Sequence, residues 1–498
     1  MSIKPALSLP YARYCITRRN NWLKKPFQTQ DKTFNYLILK AKETKFGKDH
    51  SFGEIKTYDD FKKHVPLRDY EGLRDYVDLM VQGEKDVMWP GNPLYLSKTS
   101  GTTSGAKYIP ISKASMPFHI RSAKHALLSY IQETKDAKFV DGKMIFLQGS
   151  PELKKRAGID TGRLSGIVAH HVPNYLQKNR LPSLETNLIA DWEEKVDQIV
   201  EETKDQDLRL ISGIPSWVQM YFERLLAATG KKTVKEVFPN FSLFVYGGVN
   251  YEPYRSRFEK MIGASIPSIE LYPASEGFIA YQDSQVEEGM LLEINSGIFY
   301  EFIPMSEFGN EDPTRIALKD VELDVNYAII LNTNAGLWGY VIGDTVKFVS
   351  KDPYRIKVTG RTKHFTSAFG EHVIAEEVEN AIKKASKKSN AQVVEFHVAP
   401  QTGPDSGLPY HEWFIEFAHD PNDENTFVKT LDEEMQDQNP YYKDLIVGAV
   451  LRPIVLRKVK QNGFVEFMRQ RGKLGGQNKI PRLSNDRKYA DELLKLMA

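Results

Sequence analysis

Leu94-Tyr95-Leu96-Ser97-Lys98-Thr99-Ser100-Gly101-Thr102-Thr103-Ser104-Gly105-Ala106-Lys107-Tyr108-Ile109-Pro110-Ile111 is the stretch on which the reading of this chain turns. Residues 94–96 have the apolar density of a strand, and 108–111 read as a second short strand. Between them lie two glycines, a run of hydroxyl side chains and a lysine. Glycine lets a backbone approach a ligand closely. Consecutive amide N–H groups, hydroxyls and an ammonium together suit an anion, above all a polyphosphate. The spacing is not that of the phosphate loop that opens a helix, because Ala106 intervenes before Lys107 and three residues separate Gly101 from Gly105. Alone, the stretch reads either as a solvated Ser/Thr turn or as a phosphate-binding hairpin.

Outward from it, strand-like and helix-like segments alternate, which predicts an α/β fold. Helices are expected over 116–134, 192–202 and 216–228, and strands over 210–211, 241–246 and 269–272. From 297 to 348 the pattern turns strand-rich, with strands at 298–303, 327–332 and 345–349. A polar break at 350–353 precedes a second unit: a helix at 375–386, strands at 393–398 and 412–417, and a helix at 425–436. A last helix is expected at 485–496, capped by Ser484 or Asn485. A domain boundary belongs within 350–365.

The length of 498 residues suggests two to four domains at about 150 residues each. Lys plus Arg is 67 against 65 for Asp plus Glu, a net charge of +2, which argues against nucleic-acid binding driven by bulk charge. At 41% apolar and 27% charged, the chain can bury a core. The one cysteine, Cys15, excludes an internal disulfide framework and a cysteine zinc cluster, and suits a reducing compartment. Residues 1–14 are broken by Pro5 and Pro10, and apolar runs such as 327–331 fall far below the roughly 20 residues that span a bilayer. A cytoplasmic protein with no membrane partner is therefore expected.

Three further constellations carry chemistry. Tyr272-Pro273-Ala274-Ser275-Glu276-Gly277 ends a strand at a sharp turn, where a carboxylate can hold Mg²⁺ and an aromatic ring can stack on a purine. Each is also common in an ordinary turn. Leu337-Trp338-Gly339-Tyr340-Val341-Ile342-Gly343-Asp344 precedes a strand, and an acceptor-only carboxylate there suits ribose hydroxyls. Arg361, in Gly360-Arg361-Thr362-Lys363-His364, either reaches the same ribose or pairs with a surface carboxylate. The basic, glycine-rich segment from Arg471 to Arg482 contains Lys479, a lysine on a flexible tail or one delivered into a site. His170-His171 point in different directions on any regular element, so a metal is not expected there. Candidate walls for an organic substrate are the helix 116–134, the segment 161–173 and Trp217, each of which can equally be plain core.

In their order, these motifs resemble the acyl-adenylate-forming superfamily. More narrowly they resemble the auxin-responsive (Gretchen Hagen) acyl acid amido synthetases. The resemblance rests on Thr44-Lys45-Phe46-Gly47-Lys48, the loop from Thr99 to Lys107, and Phe299-Tyr300-Glu301-Phe302-Ile303-Pro304. It rests also on Ala335-Gly336-Leu337 leading to Gly343-Asp344, and on Gln477-Asn478-Lys479-Ile480-Pro481-Arg482. It implies a large N-terminal domain of mixed β-sheets and helices (1–357) that binds ATP and the acyl acid, and a smaller, mobile α+β C-terminal domain (358–498). It implies that Thr99, Ser100, Gly101, Thr102, Thr103 and Lys107 contact phosphates. Tyr272 would stack on adenine near Gly247 and Gly248, Glu276 would help bind Mg²⁺, Asp344 and Arg361 would hold ribose, and Lys479 would contact the reacting carboxylate and α-phosphate. Pro273-Ala274 departs from the superfamily, where glycine commonly follows the tyrosine. The implied reaction is ATP-dependent adenylation of a carboxylic acid, then acyl transfer to an amine, expected to be that of an amino acid. The alternatives are thioester formation with CoA and nucleotide binding without turnover.

Overall fold

A computed structural model gives the structure of the chain and describes every residue except 1–2, 100–106, 173–176, 190–191, 249–250, 363–372, 374, 402–403, 405, 448–450, 472–479, 485 and 498. It is a mixed α/β structure of two units, Met1–Ile342 with Val346–Lys357, and Gly343–Thr345 with Val358–Ala498. Residues 343–345 thus group with the smaller unit rather than with the rest of 1–357.

In chain order the strands of the larger unit are β1 (Tyr95–Thr99), β2 (Lys107–Ile111), β3 (Lys143–Phe146), β4 (Lys154–Arg156), β5 (Ile159–Gly162), β6 (Arg180–Leu181), β7 (Leu208–Ser212), β8 (Leu243–Gly247), β9 (Ser268–Ala274) and β10 (Gly277–Tyr281). There follow β11 (Met290–Leu292), β12 (Ile298–Pro304), β13 (Ile316–Ala317), β14 (Asn326–Thr333), β15 (Tyr340–Lys351) and β16 (Tyr354–Arg361), the last two running on into residues of the smaller unit. One sheet has four strands, ordered β2-β1-β5-β4, and the other has twelve, ordered β13-β12-β14-β15-β16-β11-β10-β9-β8-β7-β3-β6. Strands β6, β3, β7, β8 and β9 pair in parallel. Both faces of that half are covered, as parallel sheets require. Ile145, Ile211, Phe244 and Tyr246 point into a cluster with helices Trp192–Thr203, Pro215–Thr229 and Glu252–Ile262. Their neighbours Met144, Leu210, Leu243 and Val245 point the other way, toward helices Ile3–Leu23 and Met116–Thr134.

The helix Ile3–Leu23 corrects the reading of the first residues as broken by proline, since Pro10 lies inside it. An interior proline costs roughly 3 kcal/mol. Here Ala12 and Ile16 are buried, and Arg19 donates to Ser129 Oγ at 2.8 Å and pairs with Asp283 at 3.3 Å. Tertiary packing thus offsets the local penalty.

The smaller unit is α+β. β17 (Gln392–Gln401), β18 (Tyr410–His419) and β19 (Val455–Val459) form a three-stranded sheet in that order. Trp413 and Ile415 pack with helices Ala375–Lys388 and Glu424–Gln438. Phe414, between them on β18, faces helices Gly463–Gln470 and Lys488–Met497. The last helix starts later than expected. Ser484 accepts from the Asp486 N–H (3.3 Å) and Asp486 accepts from the Lys488 N–H (3.0 Å), so Asp486 does the local capping, while Asn485 lies outside the described residues.

Candidate active site

Because β3, β7, β8 and β9 are parallel, their carboxyl ends share one edge of the sheet. In open α/β sheets that edge is where ligands bind. At this edge β9 turns back into antiparallel β10 through Ser275 and Glu276, with Ala274 paired to Gly277. β8 ends at Gly247, which pairs with Leu271. A Cβ on Gly247 would lie 2.5 Å from the Leu271 carbonyl oxygen, so only glycine lets the two strand ends approach this closely. Gly248 follows at φ +75°, a conformation glycine adopts without strain.

Ser97 and Ser275, both buried, meet hydroxyl to hydroxyl at 2.8 Å. Ser97 lies on β1, so the strand that leads into the hydroxyl-rich stretch is fastened to the turn that carries Glu276. Thr99 and Lys107 are cross-strand partners at the base of that hairpin. The Lys107 ammonium sits 5.4 Å from the centre of the Tyr70 ring, and the Tyr70 hydroxyl accepts the Tyr108 N–H at 2.9 Å. Ser100, Gly101, Thr102 and Thr103 lie outside the described residues.

Glu276 is half-buried and accepts a hydrogen bond from the Tyr340 hydroxyl at 3.2 Å. Burial, then the Glu276 charge, raises the Tyr340 pKa well above the usual phenol value, so the hydroxyl remains a donor. Behind Tyr340 stands a buried polar network. Glu301 accepts from Tyr58 Oη (2.8 Å), Arg315 Nε (2.9 Å) and Nη2 (2.8 Å), and Asn332 Nδ2 (2.8 Å). Asn332 Oδ1 in turn accepts the Gly339 N–H at 2.7 Å, next to Tyr340. The aromatic–acidic segment around Glu301 is therefore a support for the turn that presents Tyr340.

Tyr272 is 8% exposed and belongs to the main apolar cluster. Asp344 and Arg361, both residues of the smaller unit, pair through Arg361 Nε and Asp344 Oδ1 at 2.8 Å, with Asp344 the less exposed partner. The sequence places Asp344 before a strand that starts at 345. The structure starts β15 at Tyr340, so Gly343, at φ +90°, and Asp344 lie within it. The carbonyl of Gly343 accepts the Thr362 N–H at 2.8 Å. Lys479 lies outside the described residues.

Among the described residues no group of three or more His, Cys, Asp or Glu side chains is arranged to hold a metal. Mg²⁺ is ordinarily held by one or two carboxylates plus substrate phosphates, so the half-buried Glu276, with one oxygen engaged by Tyr340, fits such an ion. The adjacent His170 and His171 are committed elsewhere, to the Pro151 carbonyl and the Tyr95 hydroxyl, both at 3.0 Å. Among the described residues, no helix is long and apolar enough to cross a membrane.

Sequence reasoning did not single out Tyr340, Ser97 or Ser275 for a role, although all three stand inside or beside the motifs. Their roles appear only when residues 64 and 178 positions apart come together. The flanking strand and turn patterns were the only available signal.

Comparison with known proteins matches three family models in order: the GH3 family N-terminal domain over residues 15–181, the GH3 family central domain over 291–361 and the GH3 family C-terminal domain over 376–488. The chain is similar to indole-3-acetic acid-amido synthetase GH3.3 of Arabidopsis thaliana, 26% identical over 37% of this chain and 33% of that protein. It is also similar to jasmonoyl-L-amino acid synthetase JAR4 of Nicotiana attenuata, 22% identical over 54% of this chain and 57% of that protein. These alignments therefore span about a third to just over half of the relatives' length. Among solved structures, AtGH3.15 acyl acid amido synthetase in complex with 2,4-DB superposes with a TM-score of 0.81 at 16% identity, covering 97% of this chain and 96% of that one. A 2-hydroxyisobutyryl-CoA ligase in the postadenylation state gives a TM-score of 0.62 at 12% identity, covering 94% and 91%. Both show the fold.

Proposed function

The chain belongs to the GH3 family, and on that premise we propose that it is an ATP-dependent ligase that adenylates a carboxylic acid and transfers the acyl group to an amine, that of an amino acid, forming an amide. A carboxylate is a poor acyl donor because its leaving group would be oxide. Attack of its oxygen on the α-phosphate of ATP releases pyrophosphate and leaves a mixed anhydride whose leaving group is AMP. The amine then attacks the carbonyl, and the amide and AMP are the products.

The observation that carries this reading is the fastening of β1 to the Glu276 turn by Ser97 and Ser275. It gathers the base of the hydroxyl-rich hairpin and a carboxylate at the carboxyl edge of the sheet, as a polyphosphate with its metal ion requires. In this reading Thr99 to Thr103 and Lys107 cradle phosphates, and Gly247 and Gly248 leave room for the nucleotide. Tyr272 stacks on the adenine, and Asp344 and Arg361 take ribose. Glu276, oriented by Tyr340, would hold Mg²⁺, which neutralises phosphate charge when bound. Lys479 brings a cation to the meeting of two anions, which is mostly a matter of positioning and electrostatics. The C-terminal domain, 358–498, moves between the two half-reactions. A cytoplasmic setting fits the single cysteine.

Pyrophosphate release over a panel of acids tests the reading: release with at least one acid is expected, and ATP binding without release from any acid would leave only a binder. Addition of amino acids or CoA to a positive reaction, with products read by mass, decides the acceptor. Amides are expected, and a thioester would replace this assignment.

A further inference from the structure

The carboxyl edge of the sheet also receives β3, whose chain leaves as Leu147-Gln148-Gly149. Arg163 arrives there from the end of β5, at the residue before helix Leu164–Ala169. It is half-buried and forms no ion pair among the described residues. Burial lowers its pKa, with no carboxylate acting against that effect. Arg163 Cδ and Nη1 lie 3.0 and 3.5 Å, and Ser165 Oγ 3.7 Å, from the place a Cβ on Gly149 would occupy, so the guanidinium and the hydroxyl converge on one glycine. Ser165 Oγ and Gln148 Nε2 are buried without a hydrogen-bond partner among the described residues. A second cation stands close by: the Lys195 ammonium, 2% exposed, donates to the carbonyls of Gln148 (3.1 Å) and Asn187 (2.9 Å). Its pKa is lowered to about 8, first by burial and then by the charge of Arg163. The same segment is tied to β1 by His171 and the Tyr95 hydroxyl at 3.0 Å.

A partly desolvated guanidinium and two orphaned polar atoms are costly to keep unless something negative and hydrogen-bonding arrives. We infer that Arg163, with Ser165 and Gln148 beside it, receives a substrate carboxylate other than the one being activated. The guanidinium fork matches a carboxylate bidentately. Two sources share that chemistry: a second carboxylate at the far end of the acyl acid, and the α-carboxylate of an amino acid acceptor. The inference rests on the ligase reading for what the substrates are, and on geometry for where their extra charge goes.

The test compares the wild type with Arg163→Leu and Arg163→Lys. ATP–pyrophosphate exchange is measured over pairs of acids that differ only in a distal carboxylate, hexanoate and adipate among them. Amide formation is measured with L-alanine and with ethylamine, the same amine without its carboxylate. Arg163→Leu is expected to raise the KM of one carboxylate-bearing partner roughly 10- to 100-fold and leave its uncharged counterpart unchanged, the worth of a charge-assisted hydrogen bond. Arg163→Lys should restore part of the loss. An effect confined to the diacids places the carboxylate on the acid; one confined to alanine, with exchange unchanged, places it on the acceptor. Either supports the inference. Equal effects on charged and uncharged members, or none, would overturn it. If no acid supports exchange, the ligase reading fails on its own, and thermal stabilisation by the same compounds still decides this one. Stabilisation of the wild type by carboxylate-bearing members alone, lost in Arg163→Leu, supports it, and any other pattern overturns it.

Discussion

Tyr340→Phe deletes one oxygen and keeps the ring, so it isolates the hydrogen bond to Glu276. The ring is 3% exposed and Phe fills nearly the same volume, which keeps the packing cost small. A hydrogen bond to a charged acceptor contributes about 1.5–3 kcal/mol. At 3.2 Å the Tyr340–Glu276 contact belongs at the weaker end, about 1.5 kcal/mol. Glu276 keeps its charge in the variant but loses the donor that fixes its orientation. If that orientation is used in adenylation, pyrophosphate exchange should fall about tenfold, since 1.4 kcal/mol is a factor of ten. The loss should be accompanied by a higher Mg²⁺ requirement. The assay is ATP–pyrophosphate exchange titrated with Mg²⁺, beside urea unfolding of both proteins. Reduced stability with unchanged exchange and unchanged Mg²⁺ dependence would refute the reasoning, because Tyr340 would then act in folding only.

Four other outcomes are expected. Gly247→Ala should abolish ATP binding or folding, read by nucleotide titration and circular dichroism, because its Cβ would meet a backbone oxygen at 2.5 Å. Glu301→Ala should lower stability by about 3–5 kcal/mol in urea unfolding, since it leaves Arg315 buried and unpaired. A Ser97→Ala, Ser275→Ala double-mutant cycle should give a coupling of about 0.5–1.5 kcal/mol. His119, whose pKa burial lowers to about 4, should make stability pH-dependent. Between pH 6.5 and 4 the unfolded chain binds a proton that the folded chain excludes, so stability should fall through that window by up to about 3 kcal/mol, and His119→Asn should flatten the fall.

Much of the fold was legible because the core is patterned simply. The helix Met116–Thr134 shows its period outright, and the run from 327 to 331 is a strand buried on both faces. What was hidden depends on partners remote in sequence. Nothing near Pro10 announces that Ser129 and Asp283 will hold its helix together. Glu301 reads as part of an aromatic–acidic motif, and its bond to Tyr58, 243 residues away, turns it into a structural support. Tyr272 reads as a stacking ring at a strand end, and only the fold shows that it is also packed in the main apolar cluster. Arg163 carries no local signal at all, because its distinction is that it has no acid partner among the described residues.

Isotope transfer tests the central claim most directly. With an acid labelled with ¹⁸O in its carboxylate, ATP and an amino acid, the AMP formed is examined by mass spectrometry. Attack of the carboxylate on the α-phosphate predicts one ¹⁸O in AMP and one in the amide. Label found in inorganic phosphate, or AMP free of label, would contradict the acyl-adenylate route.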